Sequence, residues 1–301
     1  MFLKRMLLFF AVNMLIVVTI SLILNLLGVQ PYLTKAGINY EALAIFCLVW
    51  GMGGSFISLL LSKMMAKWMM GVQIVDGNPQ YNELIQMVHT YARRAGLSKM
   101  PEVGVYEGSE LNAFATGPSR SNSLVAVSTG LLGRMNREQL EGVIGHEVAH
   151  IANGDMVTMT VVQGIINAFV MFMARVVAFA IQQVMRKDDD EESAPVGGLV
   201  HMLLVFVLEM VFSALGMLVV AAFSRHREFK ADAESAKIAG KDKMIAALRK
   251  LQENYESLSA DSGAMSTMKI SNKGSWFAYF SSHPPLEDRI EALVRGTYNR
   301  M

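Results

Sequence analysis

The run Gly145-His146-Glu147-Val148-Ala149-His150 carries two histidines four residues apart, and on a helix that spacing sets both imidazoles one turn apart on the same flank, able to grip one metal ion. This is the H-E-x-x-H pattern of zinc hydrolases, in which the intervening glutamate serves as general base. With six histidines in 301 residues, chance alone would supply the pattern with a probability under ~1%, so it is specific. Hydrolytic chemistry at a zinc ion needs a third protein ligand and leaves a further position for water, whose pKa then falls toward neutrality. Glu147, next to a ligand on the same helix, is placed to take the proton from that water as it attacks a peptide carbonyl and to return it to the leaving amine.

The elements around the motif agree with a helix. Asn136 can cap it, with Gln139 three residues on, and Leu140, Val143, Ile144, Val148 and Ile151 then share one apolar stripe. Asn153-Gly154-Asp155 reads as its end. The third ligand lies in Ser224-Arg225-His226-Arg227-Glu228-Phe229-Lys230-Ala231-Asp232. On a helix Glu228 and Asp232 share a face, so Glu228 can bind zinc while Asp232 accepts the free ring N–H of a ligand histidine. An exposed, charged helix face fits the same spacing. His226 would point about 200° away from Glu228, and Glu234 about 120° off, so neither suits the same ion.

Composition decides the setting. The chain is 52% hydrophobic and 18% charged, too oily for an ordinary soluble protein. A net charge of +1, with no phosphate-binding glycine loop, gives no reason to expect nucleic acid. The single cysteine, Cys47, excludes an intramolecular disulfide, and the 23 methionines read as pliable packing and lipid-facing side chains. Apolar spans are expected over 6–27 and 43–61, the second with Gly51, Gly53, Gly54 and Ser55 for close helix contact. Lys4, Arg5, Lys63 and Lys67, against Lys35 between the spans, put both outer ends of this hairpin in the cytoplasm.

Further spans are expected over 156–174 and 198–223, joined by Arg186-Lys187 and the acidic run 188–192. Gln163, Asn167, His201 and Glu209 interrupt them, and a buried Arg175–Glu209 pair is predicted. An even number of crossings returns the chain to the side it left, so residues beyond Phe223 can stand beside His150. The domain reading follows: a transmembrane hairpin (1–70), a first catalytic part (71–155), an inserted hydrophobic hairpin (156–223) and a second catalytic part (224–301). In the soluble parts a helix is expected over 81–95, short strands over 103–106, 112–116 and 124–128, helices over 224–238 and 241–258, a loop over 259–274, an aromatic element over 276–280, and a last helix over 285–295 with Pro285 in its first turn. The fold class is α+β, mainly helical. Asn112, Ala113 and Phe114 begin a strand to which an extended substrate could add its backbone, or an ordinary core strand.

Taken together, His146-Glu147-Val148-Ala149-His150, Glu228-Phe229-Lys230-Ala231-Asp232, Asn153-Gly154-Asp155, the 112–117 run and His283-Pro284-Pro285 before Arg289-Ile290 resemble the HtpX membrane metalloprotease family, relatives of the CAAX prenyl protease, over essentially the whole chain. The resemblance implies an integral membrane zincin-type metalloprotease of the bacterial inner membrane, multi-pass, with its catalytic domain facing the cytoplasm. It implies one zinc ion per subunit held by His146, His150 and Glu228, with Glu147 catalytic, and the lipid bilayer and membrane or misfolded proteins as partners in quality control under stress. It also places His283 near the active site as a transition-state or substrate contact, or as a structural histidine. Arg289 can pair with a site carboxylate such as Asp232, or lie at the surface. Two other readings are a prenyl-peptide processing enzyme, for which four spans are few to enclose a chamber, and a scaffold with a structural zinc, which would want a cysteine ligand outside a span.

Overall fold

The structure is a computed structural model and describes residues 33–34, 37–188, 198–261 and 281–297. The expected span over 6–27, the aromatic element 276–280 and nearly all of the expected loop 259–274 lie outside these residues. In chain order, β1 (Leu33–Thr34) pairs antiparallel with β2 (Gly37–Ile38), and α1 (Tyr40–Met69) follows. Next come β3 (Gln73–Ile74), α2 (Asn82–Arg94), β4 (Glu102–Tyr106), β5 (Ala113–Ser119), β6 (Asn122–Ser128) and the short α3 (Thr129–Arg134). The H-E-x-x-H motif sits on α4 (Arg137–Asn153), followed by α5 (Asp155–Asp188), α6 (Gly198–Ser235), α7 (Lys241–Asp261) and α8 (Leu286–Arg295).

The chain divides into two compact units, one drawn from residues up to Ile57 with Thr160–Val220, the other from Ser58–Met159 with Ala221–Met301. In the first, Leu43, Phe46, Cys47 and Met171 form one buried cluster and Ala174, Ala178 and Val205 another. A methyl group on Gly51 would lie 2.5 Å from the Ala168 backbone nitrogen, which is the close helix approach that small residues permit in apolar surroundings. Gly53, expected to do the same, faces open space. Outward-facing Ile165, Phe169, Val207, Leu215 and Val219 are each more than half exposed, a surface that suits lipid and not water. Three helices among the described residues are long and apolar enough to cross a membrane, within Tyr40–Met69, Asp155–Val184 and Val200–Ser257.

Several polar groups within this unit pair with one another, while the buried His201 Nδ1 has no hydrogen-bond partner among the described residues. Gln163 donates to Asn167 at 2.8 Å, Asn167 donates to the Ser55 hydroxyl at 3.4 Å, and Arg175 donates to Glu209 Oε1 at 2.8 Å and to the Met171 carbonyl at 2.9 Å. Arg175 and Glu209 are 5% and 2% exposed. The helices outrun their expected bounds: α5 continues past residue 174, and α6 runs through Phe223 and Ser224 without a break as far as Ser235. No proline or glycine stands in 175–188 or 217–235, so nothing in the backbone stops either helix where its hydrophobicity fades.

The second unit is built on a four-stranded sheet of order β3-β4-β6-β5, in which β4 and β6 are parallel and the outer pairings antiparallel. Leu124, Val125, Ala126 and Val127 of β6 are all fully buried, as expected of an interior strand covered on both faces. One face meets α2 and α4 in a core of Val88, Tyr91, Val103, Val125, Ile144, Val148 and Ile151; the other carries Ala66, Val72, Tyr106 and Leu124. The two-residue β3 and the six-residue α3 lie below what periodicity can detect. Between α6 and α7 the chain makes a single wide π-type turn, Ala236–Gly240, with Gly240 at φ 117°. Pro285 caps α8 instead of entering its first turn.

Candidate metal centre

Helix α4 is held at both ends by local chemistry. The Asn136 side chain accepts from the Gln139 backbone N–H, and the Gln139 side chain accepts from the Asn136 backbone N–H, both at 3.0 Å. Such reciprocal capping stabilises by about 1 kcal/mol. Gly154 ends the helix at φ 71°, a left-handed conformation that glycine adopts without steric cost. Between the caps, Val143, Ile144, Val148 and Ile151 face the core and hold the opposite flank, with His146 and His150, toward α6.

Helix α4 packs closely against α7 and the turn that precedes it. A methyl group on Gly142 would come within 2.4 Å of the α7 Lys243 carbonyl oxygen, and one on Gly145 within 2.7 Å of Ala239 Cβ in that turn. Ser235 donates to the Gly142 carbonyl across this contact at 3.1 Å. Backbone approach of this kind brings short side chains within reach of one point: His146 Nε2 lies 3.1 Å from His150 Nε2 and 3.4 Å from Glu228 Oε2, and His150 Nε2 lies 3.3 Å from Glu228 Oε1.

Each ligand candidate is oriented from behind. Asp232 Oδ1 sits 2.9 Å from His146 Nδ1, and Asp155 Oδ2 sits 2.6 Å from His150 Nδ1. A carboxylate facing Nδ1 fixes the proton there and leaves the Nε2 lone pair for a metal. Arg289, 5% exposed, forks onto Asp232 at 2.6 and 2.7 Å and reaches Glu228 Oε2 at 3.2 Å. Arg289 is therefore buried against a site carboxylate and does not lie at the surface. His283 places Nδ1 2.8 Å from Glu228 Oε2, with its side chain 59% exposed.

The arrangement fits a divalent cation on three counts. A tetrahedral zinc site with ligand bonds of about 2.0–2.1 Å has donor–donor edges of about 3.3–3.4 Å, and each imidazole Nε2 lies at that distance from one or the other Glu228 oxygen, 3.4 Å for His146 and 3.3 Å for His150. Glu228 Oε2 is buried without a well-aligned hydrogen bond, despite Arg289 at 3.2 Å, and an orphaned acceptor of that kind is costly unless something else binds it. Around the histidines the carboxylates of Glu147, Asp155, Glu228 and Asp232 outnumber the guanidiniums of Arg227 and Arg289 by two, the charge of one divalent ion. The same excess of negative charge acts on protons. Burial pushes the His150 imidazole down, but Asp155 and Glu228 outweigh it and raise the pKa to about 10. His146 shifts upward for the same reason, through Asp232 and Glu228.

Glu147 is half-buried and has no hydrogen-bond or ion-pair partner among the described residues. Asn112 precedes β5, and Ala113 and Phe114 begin it. The strand is an edge of the sheet, paired to β6 through Ala113↔Val127 and Phe114↔Ala126. Ala113 packs on the core that includes Ile144 and Val148 of α4, and Phe114 packs beside Tyr106, ring centroids 5.8 Å apart. Their side chains are thus engaged inward, while the outer backbone edge of β5 has no strand partner among the described residues. His226 is exposed, and Glu234 pairs with Lys237 at 3.0 Å. Asp155 and Arg227 carry no role in the sequence reading; the glycine that reverses the chain just ahead of Asp155 is the signal that could have drawn attention to it.

Comparison with known proteins bears on the whole chain. Residues 78–296 match the model of peptidase family M48. The chain is 50% identical over 300 residues to a protein named Protease HtpX homolog from Bacillus licheniformis, covering 96% of this chain and 98% of that one. It is 49% identical over 292 residues to Protease HtpX of Aeromonas hydrophila, covering 96% and 99%, and 49% identical over 302 residues to the Protease HtpX homolog of Bacillus subtilis, covering 96% and 98%. Among solved structures it resembles the crystal structure of S. mikatae Ste24p, with TM-score 0.61 and 18% identity over 83% of this chain. At that identity the likeness speaks for the fold, and this chain spans 58% of the Ste24p chain.

Proposed function

The chain belongs to peptidase family M48, and from that membership we propose that it is a zinc-dependent endopeptidase acting on membrane and membrane-associated proteins, misfolded ones among them, at the cytoplasmic face of the bacterial inner membrane in quality control under stress. That it is a metalloendopeptidase with membrane-crossing helices is the coarser statement, carried by the family, the relatives near 50% identity and the three apolar helices. The single observation that most supports the metal reading is the convergence of His146, His150 and Glu228, with donor atoms all within 4.8 Å of one another.

His146, His150 and Glu228 would hold one zinc ion per chain. Zinc bound there supplies Lewis acidity, drawing the pKa of a water toward 7 and polarising a peptide carbonyl. Glu147 takes the proton from the attacking water and delivers it to the leaving amine, a role that suits its lack of a fixed partner. Asp232 keeps the His146 ring in its metal-binding tautomer, and Arg289 holds Asp232 in place while offsetting part of the buried negative charge. His283, exposed yet touching Glu228, is placed to donate to the substrate carbonyl as charge develops on it. The substrate backbone adds to the outer edge of β5 beside Asn112, Ala113 and Phe114, a mode that binds many sequences because it reads main chain.

The test uses the full chain purified in detergent. Wild type is expected to contain zinc and to cleave casein, Glu147→Ala to keep zinc and lose cleavage, and His146→Ala to lose both; an active zinc-free protein would overturn the reading. For the cellular role, cells lacking the protein should accumulate misfolded membrane proteins after heat stress, and a Glu147→Ala copy should not relieve them.

A further inference from the structure

The residues behind His150 are linked to those behind Glu228. Asp155 is 5% exposed, and its Oδ2 meets two donors, His150 Nδ1 at 2.6 Å and Arg227 Nη2 at 2.9 Å. Asp155 is the first residue of α5, brought back against α4 by the left-handed turn at Gly154. Arg227 immediately precedes Glu228 on α6, and its side chain is 11% exposed. A single carboxylate oxygen therefore ties the ring of one metal-ligand candidate to the backbone position of another, across helices contributed by distant parts of the chain.

We propose that Asp155 and Arg227 are positioning residues for the metal: Asp155 orients the His150 ring, and Arg227, by clasping Asp155, sets the register of α6 so that Glu228 meets the same ion. The inference rests on the zinc reading above. The asymmetry between the two histidines supports it. His146 is braced by Asp232 from α6 itself, with Arg289 behind, so its brace moves with Glu228. His150 is braced from α5, and among the described residues Arg227 is the ion pair that joins that brace to the helix bearing Glu228. Desolvation makes the pair consequential. A carboxylate left buried without its cation is driven to move toward other donors, and that displacement removes the acceptor that fixes the imidazole.

The pair is tested on the full chain in detergent by measuring zinc affinity against a competing chelator and the visible spectrum of the cobalt-substituted protein, with melting of the zinc-free form as control. Asp155→Asn and Arg227→Gln should each weaken zinc binding about 10- to 100-fold, the usual effect of removing an outer-shell partner, and should alter the cobalt bands. Arg227→Lys, which keeps the charge and can still make the single contact to Asp155, should recover most of the affinity. If Asp155→Asn does not fold, Arg227→Gln and Arg227→Lys decide the matter between them. Unchanged zinc affinity and cobalt bands in the folded variants, even with lowered melting, would reduce the pair to a structural contact and overturn the proposal. Failure of the zinc reading itself would look different, since wild type would then bind no zinc.

Discussion

Arg175 and Arg289 are each 5% exposed and each faces a carboxylate, yet the two settings differ in what they leave over. In the apolar helices Arg175 meets Glu209 at 2.8 Å, one cation to one anion, a pair neutral in itself. Around Arg289 two carboxylates, Asp232 and Glu228, and two imidazoles converge, and Glu228 Oε2 stays without a well-aligned hydrogen bond. The first arrangement is complete as protein. The second holds more carboxylates than guanidiniums and keeps one buried acceptor without a hydrogen bond, and that surplus distinguishes a site from a structural ion pair.

The contrast can be broken at either end, and the largest effect is expected at the site. Glu147→Gln should lower casein cleavage by about 10²- to 10⁴-fold, the range for loss of a general base, while the melting temperature stays near that of wild type. Chelation should abolish cleavage, and added zinc should restore it. In the apolar helices, reversing Arg175 to Glu or Glu209 to Arg should cost about 3–5 kcal/mol, because each strands a buried charge; the folded fraction on gel filtration should fall and should recover when both are reversed together. No recovery in the double variant would mean that the two do not act as a pair.

Smaller effects are expected where the site rests on packing. Gly145→Ala forces a methyl group against Ala239 and Ser235 and should cost about 1–3 kcal/mol by thermal unfolding, as overpacking does, with zinc affinity falling as α4 is pushed from α6. The smallest is a pH effect at Glu141, a buried residue on α4. Burial alone would raise its pKa, but hydrogen bonds from Lys243 and Arg137 outweigh it and hold the carboxyl below the usual glutamate value. A group depressed in the folded state adds stability above its unfolded pKa of about 4.3 and loses it as pH falls through the folded value. The gap in unfolding free energy between wild type and Glu141→Gln should therefore be widest above about pH 5 and close as the solution is acidified.

What could be read from residues alone follows how local each determinant is. The helix bearing His146 and His150 was legible because its capping box, apolar stripe and terminal glycine all lie within one short stretch, and the structure shows the same start at Asn136 and stop at Gly154. Arg175 and Glu209 were predicted to meet because both are expensive in an apolar helix, and they do meet. Helix ends in the apolar stretches were misplaced, since hydrophobicity marks where lipid ends and not where hydrogen bonding stops; α6 passes Phe223 unbroken. The part of Asp155 is not legible in the sequence because it depends on a reversal at Gly154 and on Arg227, which no spacing along one element connects. Gly142 and Gly145 read as ordinary helix residues until α7, for the first, and the end of α6 with the turn after it, for the second, lie against them.

The central claim is that one cation is shared by side chains from α4 and α6, and zinc content of the purified full chain tests it most directly. Wild type should hold one zinc per chain, and Glu228→Ala, still folded by circular dichroism, should lose it or bind it far more weakly. A folded wild type without any divalent metal, or a Glu228→Ala chain that binds zinc as tightly as wild type, would contradict the account.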